Sequence, residues 1–293
     1  MTNIAFVAGI ILIFKYFDNI PFFKAMTGLF LVLSIWPLRE EMLFGQPNIF
    51  IFFLFCASLF CLKKRWYLPA GLLIGLGITT KEIFFLVFLF LLWQRNWKAI
   101  FSAISVMLVM RVVPIILFGW PTELSYWHYF YRLWIADNGR GSCISFYEIF
   151  HRAFDNALSP EMIKTMLVSV NIALFILTWK WIRKVRFHSG LQQNALALSM
   201  FLLLSMLISP WLRETHLVVV CLPILACWFC LDEELERKYF ILFTVGYLLV
   251  GLKYSVNSFP AFASGILALV GLLKVFGCAV LFCLSGRLLA HRV

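Results

Sequence analysis

The chain has 293 residues, of which 63% are hydrophobic and only 13% charged, and its formal net charge is +11. A soluble domain dresses its surface with roughly 25% charged residues, and a mean hydropathy of +0.93 leaves no polar shell to make one. Composition therefore excludes a water-soluble fold and points to an all-α, polytopic integral membrane bundle. The 32 Phe and 11 Trp suit a chain whose solvent is lipid and whose aromatic belts mark the interfaces.

A span needs about 20 apolar residues. In chain order, about ten apolar segments stand near Ile4–Phe17, Phe22–Leu38, Met42–Leu62, Leu68–Trp93, Ala99–Trp120, Met162–Ile182, Leu191–Ser209, Leu217–Leu231, Tyr239–Val256 and Phe259–Leu284. The whole chain reads as one membrane domain, with Pro121–Pro160 as its long extracytosolic loop. Short basic runs separate the segments: Lys63-Lys64-Arg65, Arg95 with Lys98, Arg183-Lys184 with Arg186, Arg237-Lys238, and Arg287 with Arg292. Positive charge between spans anchors a protein to the cytosolic face, so the +11 charge reads as anchoring and not as nucleic-acid binding. Lys274 reads as the point where the last span reaches the cytosol, leaving 275–293 as an interfacial tail.

Threading the segments between these runs puts 45–48, 121–160, 209–216 and 257–258 on the opposite side. Only Leu68–Trp93 breaks the alternation, because basic charge flanks both of its ends. With Gly71, Gly75 and Gly77 followed by Thr79-Thr80-Lys81-Glu82, that stretch reads as a hairpin of two short helices with Lys81 at its tip. The eight cysteines form neither a disulfide framework nor a metal site; Cys227 and Cys230 read as small helix-packing residues.

Ionisable residues at membrane depth are functional hypotheses by default. Lys81 has two readings: an ammonium for the phosphate of a lipid-linked substrate, or a local partner of Glu82 that snorkels to the headgroups. Arg111, before Pro114, is open to the same alternatives. In the polar turn from Ser209 to His216, Arg213 and His216 are able to hold an anionic phosphate, with Arg as a bidentate fork; a merely solvated interfacial turn is the plainer alternative. The long loop interleaves Trp120, Tyr126, Trp127, Tyr129 and Trp134 with Arg132, Arg140 and Arg152. Such a surface suits sugars and anionic headgroups, and equally an amphipathic helix lying in the interface.

Three stretches, in this order, resemble glycosyltransferase family 87, membrane enzymes of the GT-C class that use polyprenyl-phosphate sugars. They are Gly45-Gln46-Pro47-Asn48 ahead of an apolar run, Ala70-Gly71-Leu72-Leu73-Ile74-Gly75-Leu76 running on to Lys81, and Ser209-Pro210 with His216 and Pro223. The resemblance implies a GT-C-like helical fold and hexosyl or pentosyl transfer from a polyprenyl-phosphate donor to an extracytosolic lipid or polysaccharide acceptor, at a bacterial plasma membrane, without a cofactor. It assigns donor phosphate binding to Lys81, Arg213 and His216, and sugar or acceptor contacts to Gln46, Asn48, Trp127, Arg132, Asn138 and Arg152. Arg213 stands where the family usually has an aromatic residue, and Thr215 replaces the first of its paired histidines. The family's Asp base, carried on an external loop ahead of Gly45, has no counterpart here, since Asp18 falls in a cytosolic turn. The expectation is therefore a chain lacking the N-terminal one or two spans and that loop, with Glu40, Glu41 and Asp137 as the remaining candidate bases. A non-catalytic binder of lipid-linked glycan, a transporter or a partner subunit is the alternative function.

Overall fold

The structure, a computed structural model, describes residues 2–135, 143–154, 158–185, 190–232, 237–253 and 266–291. Among these residues every named element is helical: α1 (Thr2–Phe17), α2 (Phe22–Ser34), α3 (Trp36–Phe44), α4 (Asn48–Lys63), α5 (Tyr67–Thr80), α6 (Phe88–Gln94), α7 (Trp97–Phe118), α8 (Trp120–Ile135), α9 (Phe146–Phe154), α10 (Pro160–Ile182), α11 (Leu191–Ile208), α12 (Cys221–Cys230), α13 (Arg237–Gly251) and α14 (Leu273–His291). Tight 3₁₀ turns lead into α6 (Glu82–Val87), α12 (Glu214–Val220) and α14 (Ile266–Leu272). A chain in hydrocarbon must satisfy its backbone within each segment, and helices do so.

The described residues do not confirm the count of about ten segments as spans. Four helices are long and apolar enough to span a bilayer, namely 97–118, 161–182, 191–208 and 267–291, or five if α2 and α3, bent by 59°, count as one broken span. The remaining apolar helices hold 10–17 residues each. Apolar residue counts do not register the breaks at Ile35 and Lys81, which divide apolar runs into shorter rods.

Close approaches give the helix directions. Gly71 lies so near α7 that a Cβ there would come within 2.0 Å of the Ala99 carbonyl oxygen, and one on Gly75 within 2.8 Å of that of Ala103. Both contacts advance together along the chain, so α5 and α7 run parallel, and the segment between them must return. The hairpin expected from the sequence is therefore present, and the glycines of the Ala70–Leu76 motif serve helix packing through small side chains. Parallel packing also joins α1 to α4, where Phe6 stacks near Phe52 and the Lys63 ammonium reaches the Lys15 carbonyl at 2.6 Å and Asp18 at 2.5 Å. Conversely α13 and α14 run antiparallel: Tyr239 meets His291, Gly246 meets Leu281, and Gly277 meets Val250.

The core centres on α11 and α12, with Leu196, Leu202, Leu225 and Phe282 among its buried side chains. All eight cysteines are free, and Cys227 Sγ lies 3.3 Å from Ser285 Oγ, in keeping with a packing role. The last helix corrects one expectation. Lys274 is 1% exposed, and α14 continues beyond it to His291, so Lys274 does not mark a cytosolic exit. It stands at the opposite end of α14 from Arg287, where it pairs with Glu214.

Candidate functional site

The Lys81 end of the bundle gathers segments far apart in sequence. α3 ends at Gly45, whose φ of 64° occupies the left-handed region and whose amide donates to the Glu41 carbonyl at 2.9 Å. Glycine enters that region without a Cβ penalty. The chain then turns through Gln46 and Pro47 into α4, and the turn is clamped by Glu41. Its Oε1 accepts from the Asn48 amide at 2.8 Å and its Oε2 from Asn48 Nδ2 at 3.0 Å. Glu41 and Asn48 are both wholly buried. The Asn48 amide group also approaches Gln46 Oε1 at 3.5 Å.

Lys81 takes extended backbone between α5 and the following 3₁₀ turn, which is what turns the hairpin. Its immediate neighbour Glu82 is committed elsewhere. Arg111 on α7 holds Glu82 Oε1 at 2.5 Å, and the Tyr126 hydroxyl donates to the same oxygen. The Arg111 guanidinium also lies 4.9 Å from the Tyr126 ring centroid and 3.6 Å from Glu123, which accepts from Trp127 Nε1 at 2.9 Å. Arg111 thus resolves as a paired cation that ties α8 to the hairpin. Lys81, half-buried, has Glu41 and Arg213 as its charged neighbours. Burial pulls its ammonium below the ordinary lysine range, Glu41 opposes that, and Arg213 reinforces it.

The turn from Ser209 to His216 completes the cluster. Its residues are held from the long loop: the Ile144 amide donates to the Leu212 carbonyl at 2.7 Å, Ser145 Oγ to that of Pro210 at 2.6 Å, and Cys143 bridges antiparallel to Arg213. The Arg213 amide donates to His216 Nδ1 at 3.2 Å, and the His216 amide returns to the Arg213 carbonyl at 3.0 Å. His216 therefore presents Nδ1 as an acceptor and keeps its proton on Nε2. Burial, with Lys81 and Arg213 nearby, lowers its pKa to about 3, so it is neutral at physiological pH. Arg213 itself is exposed.

Two residues that the sequence does not assign to this site, Glu214 and Lys274, belong here as well. Glu214, next to Arg213, is half-buried and holds the Lys274 ammonium at 2.7 Å. Burial, with Glu40 nearby, holds its carboxyl above the ordinary range although Lys274 opposes this. Only the three-dimensional fold brings 40, 214 and 274 together. Beside the cluster lies a cavity of about 200 Å³ walled by Ile83, Phe85, Leu86, Phe175, Ile208 and Trp211, with Glu82, Ser205 and Ser209 as polar edges.

The fold therefore brings Lys81, Arg213, His216, Gln46, Asn48, Glu40 and Glu41 to one end. Trp127 is exposed on α8, one turn from Glu123, and Arg152 is half-buried on α9. Arg132 falls within α8, its side chain outside the described part, and Asp137 and Asn138 lie outside the described residues. Among the described residues, Asn48 Oδ1 and Thr215 Oγ1 are buried without a hydrogen-bond partner, whereas buried polar atoms are ordinarily satisfied.

A stretch of 96 residues is 29% identical to a polyprenol-phosphate-mannose-dependent alpha-(1-2)-phosphatidylinositol mannoside mannosyltransferase of Mycobacterium tuberculosis. That match takes in 32% of this chain and spans only 22% of the relative's length. No solved structure matches the chain. The profile of glycosyltransferase family 87 matches residues 2–210, well over half of the sequence and including the Gly45–Asn48 turn and the hairpin, and the chain belongs to that family.

Proposed function

We propose that the chain is a membrane glycosyltransferase that moves a hexose or pentose from a polyprenyl-phosphate sugar to an extracytosolic lipid or glycan acceptor. The observation that carries this reading is the meeting of Lys81 and Arg213 beside an apolar cavity, at the end of the bundle opposite the basic runs. A lipid phosphate needs cations next to apolar walls, and this end supplies both. The mannosyl donor in the relative's name makes a hexose the first sugar to test.

In such a transfer, the acceptor oxygen attacks the anomeric carbon as its hydroxyl proton passes to a base. The bond from that carbon to the phosphate oxygen breaks, and the polyprenyl phosphate leaves with the electron pair. Lys81 and Arg213 are assigned to the phosphate oxygens, where negative charge grows, and His216 Nε2–H is a neutral donor beside them. Gln46, Asn48, Trp127, Arg132, Asn138 and Arg152 are assigned to the sugar and acceptor. Glu41 is a poor base because Asn48 occupies both of its oxygens. Glu40, half-buried on α3 and near Glu214, is the better one.

The test is transfer of radiolabelled mannose from polyprenyl-phosphate mannose, by the purified chain in nanodiscs, to phosphatidylinositol mannoside. Labelled product that disappears in Glu40→Gln while donor binding persists is the expected result. Donor binding without product in every donor and acceptor pairing tried would leave the non-catalytic binder or partner subunit in its place.

A further inference from the structure

Helix packing sets the buried Glu41 carboxylate beside Lys81. The short turn between α4 and α5 makes the two helices antiparallel. Phe55 on α4 meets both arms of the hairpin: a Cβ on Gly77 would come within 3.0 Å of its ring, and Phe84 packs edge-on against it at 5.8 Å. Lys81 stands four residues beyond Gly77, about 6 Å at the helical rise, which brings it level with the first turn of α4. Glu41 caps that same turn through both of its oxygens. Glu41 and Lys81 are accordingly charged neighbours, and Arg213 is the second cation near Lys81.

Capping α4 needs an acceptor oxygen, which a neutral side chain also supplies. The negative charge is a separate matter. With an N–H group on each oxygen and an ammonium nearby, Glu41 is held ionised although it is wholly buried. A phosphate drawn to Lys81 and Arg213 therefore also meets a fixed carboxylate that little water screens. Among the described residues, the other charges at this end are Glu214 paired with Lys274 at 2.7 Å, Glu82 paired with Arg111 at 2.5 Å, and Glu40 near Glu214, while His216 is neutral.

The two phosphates of the transfer differ by one charge. A polyprenyl-phosphate sugar is a phosphodiester with a single negative charge at any physiological pH. When its anomeric bond breaks, the electron pair stays on the phosphate oxygen and the product is a monoester. A phosphate monoester takes its second charge with a pKa of about 6. Withdrawing the dianion from water costs more than withdrawing the monoanion, since solvation grows with the square of the charge, and Glu41 repels each added charge.

We propose that Glu41 is a specificity-determining residue that fits this end to the singly charged phosphodiester of the donor and against the doubly charged monoester of the product. This rests on the glycosyltransferase reading. Lys81 and Arg213 by themselves would hold the dianion more tightly, and a product so held would block the next donor. Glu41 weakens the grip on the departing phosphate and frees it for exchange.

Equilibrium binding of polyprenyl phosphate and of its methyl ester to the full chain, in phosphatidylcholine nanodiscs, tests this. The methyl ester is a phosphodiester without a sugar, so sugar contacts do not enter. At pH 8 the wild type should bind the methyl ester about tenfold more tightly, equivalent to 1.4 kcal/mol. At pH 5, where both lipids carry one charge, the two affinities should converge. Glu41→Gln should bring them together at pH 8 as well, in a chain that melts like the wild type. That variant keeps an acceptor for the Asn48 amide, and the Asn48 side chain can turn its oxygen to the new Gln amide. If Glu41→Gln does not insert, the wild-type ratio at the two pH values decides. Monoester binding as tight as the diester at pH 8, or a preference that survives in folded Glu41→Gln, would overturn the role of Glu41 and leave the phosphate site standing. Binding of neither lipid would remove the phosphate site itself, and Glu41's role with it.

Discussion

The two ends of the bundle treat charge in opposite ways. At the basic end Lys64, Arg65, Arg95, Lys98, Arg183, Lys184, Arg237 and Lys238 are all exposed. At the Lys81 end Glu41 and Lys274 are buried, Glu214 and Glu82 are held by specific cations, and the Lys81 ammonium is half-buried. Exposed lysines and arginines at a membrane surface stay solvated at little cost. Charges withdrawn from water are kept only with partners in place, so the second end has been built around its charges. That contrast, more than any one motif, is the ground for proposing the Lys81 end as the working end.

The most complete break in this comparison would come from sidedness. A cysteine introduced at Asn138 should react with an impermeant maleimide from outside intact cells, and one at Lys64 only after permeabilisation. Seven of the eight native thiols are buried and Cys283 is partly so, which keeps the background low. The reverse pattern would put the Lys81 end in the cytosol and remove the extracytosolic acceptor from the account.

Next in size is the buried pair. Lys274→Ala strands Glu214 away from water, and breaking such a pair costs roughly 3–5 kcal/mol. The variant should accumulate poorly and melt early in detergent, and Glu214→Gln in the same chain should recover much of the loss. An unchanged melting temperature would mean that Glu214 is solvated and that the end is not closed around its charges.

Arg111→Ala should act on binding without touching ligand. Freed from Arg111, the Glu82 carboxylate competes for Lys81, and donor affinity should fall roughly tenfold, about 1.4 kcal/mol. Glu82→Gln added to it should restore affinity, because the competing charge is gone. A loss that Glu82→Gln does not rescue would make Arg111 a direct ligand.

His216 sharpens the contrast through pH. Its pKa is lowered in the folded chain from 6.5 to about 3, so below 6.5 the unfolded chain binds the extra proton first. Stability is therefore complete above that value and is lost as pH falls toward 3, by about 1 kcal/mol between pH 6.5 and 5.5. Thermal melts across this range should show the decline, and His216→Asn, which keeps an acceptor for the Arg213 amide, should flatten it. Acid stability identical in both chains would place His216 in water. The smallest effect belongs to the basic end, where Lys64→Gln should shift stability by less than about 0.5 kcal/mol; a larger loss would show that this end too depends on its charges.

The hairpin was legible in the sequence because its evidence is local: glycines four apart on one helix face, and basic charge at both flanks of a single apolar run. The meeting of the Gly45, Lys81 and His216 stretches followed from threading the chain between basic runs. Lys274 was misread for the opposite reason. Its partner Glu214 is 60 residues away, and a lysine in an apolar run with no visible partner looks like an exit to water. Hydropathy likewise counts apolar residues and is blind to the 59° bend at Ile35. Nor does any local pattern reveal that Asn48 occupies Glu41 or that Glu40 comes close to Glu214. Side-chain pairing across the bundle is set by tertiary packing, and the sequence offers only the residues that take part.

Binding of polyprenyl phosphate to the purified chain, with and without Lys81, tests the central claim most directly. An ammonium–phosphate contact at a half-buried site should exceed the ~0–1 kcal/mol of an exposed ion pair and approach the roughly 2 kcal/mol of a hydrogen bond to a charged group. Lys81→Ala should therefore weaken binding about thirtyfold in a chain that still folds, while Lys81→Arg retains part of the affinity. Unchanged affinity in a folded Lys81→Ala chain would contradict the account and leave Lys81 as a structural neighbour of Glu41.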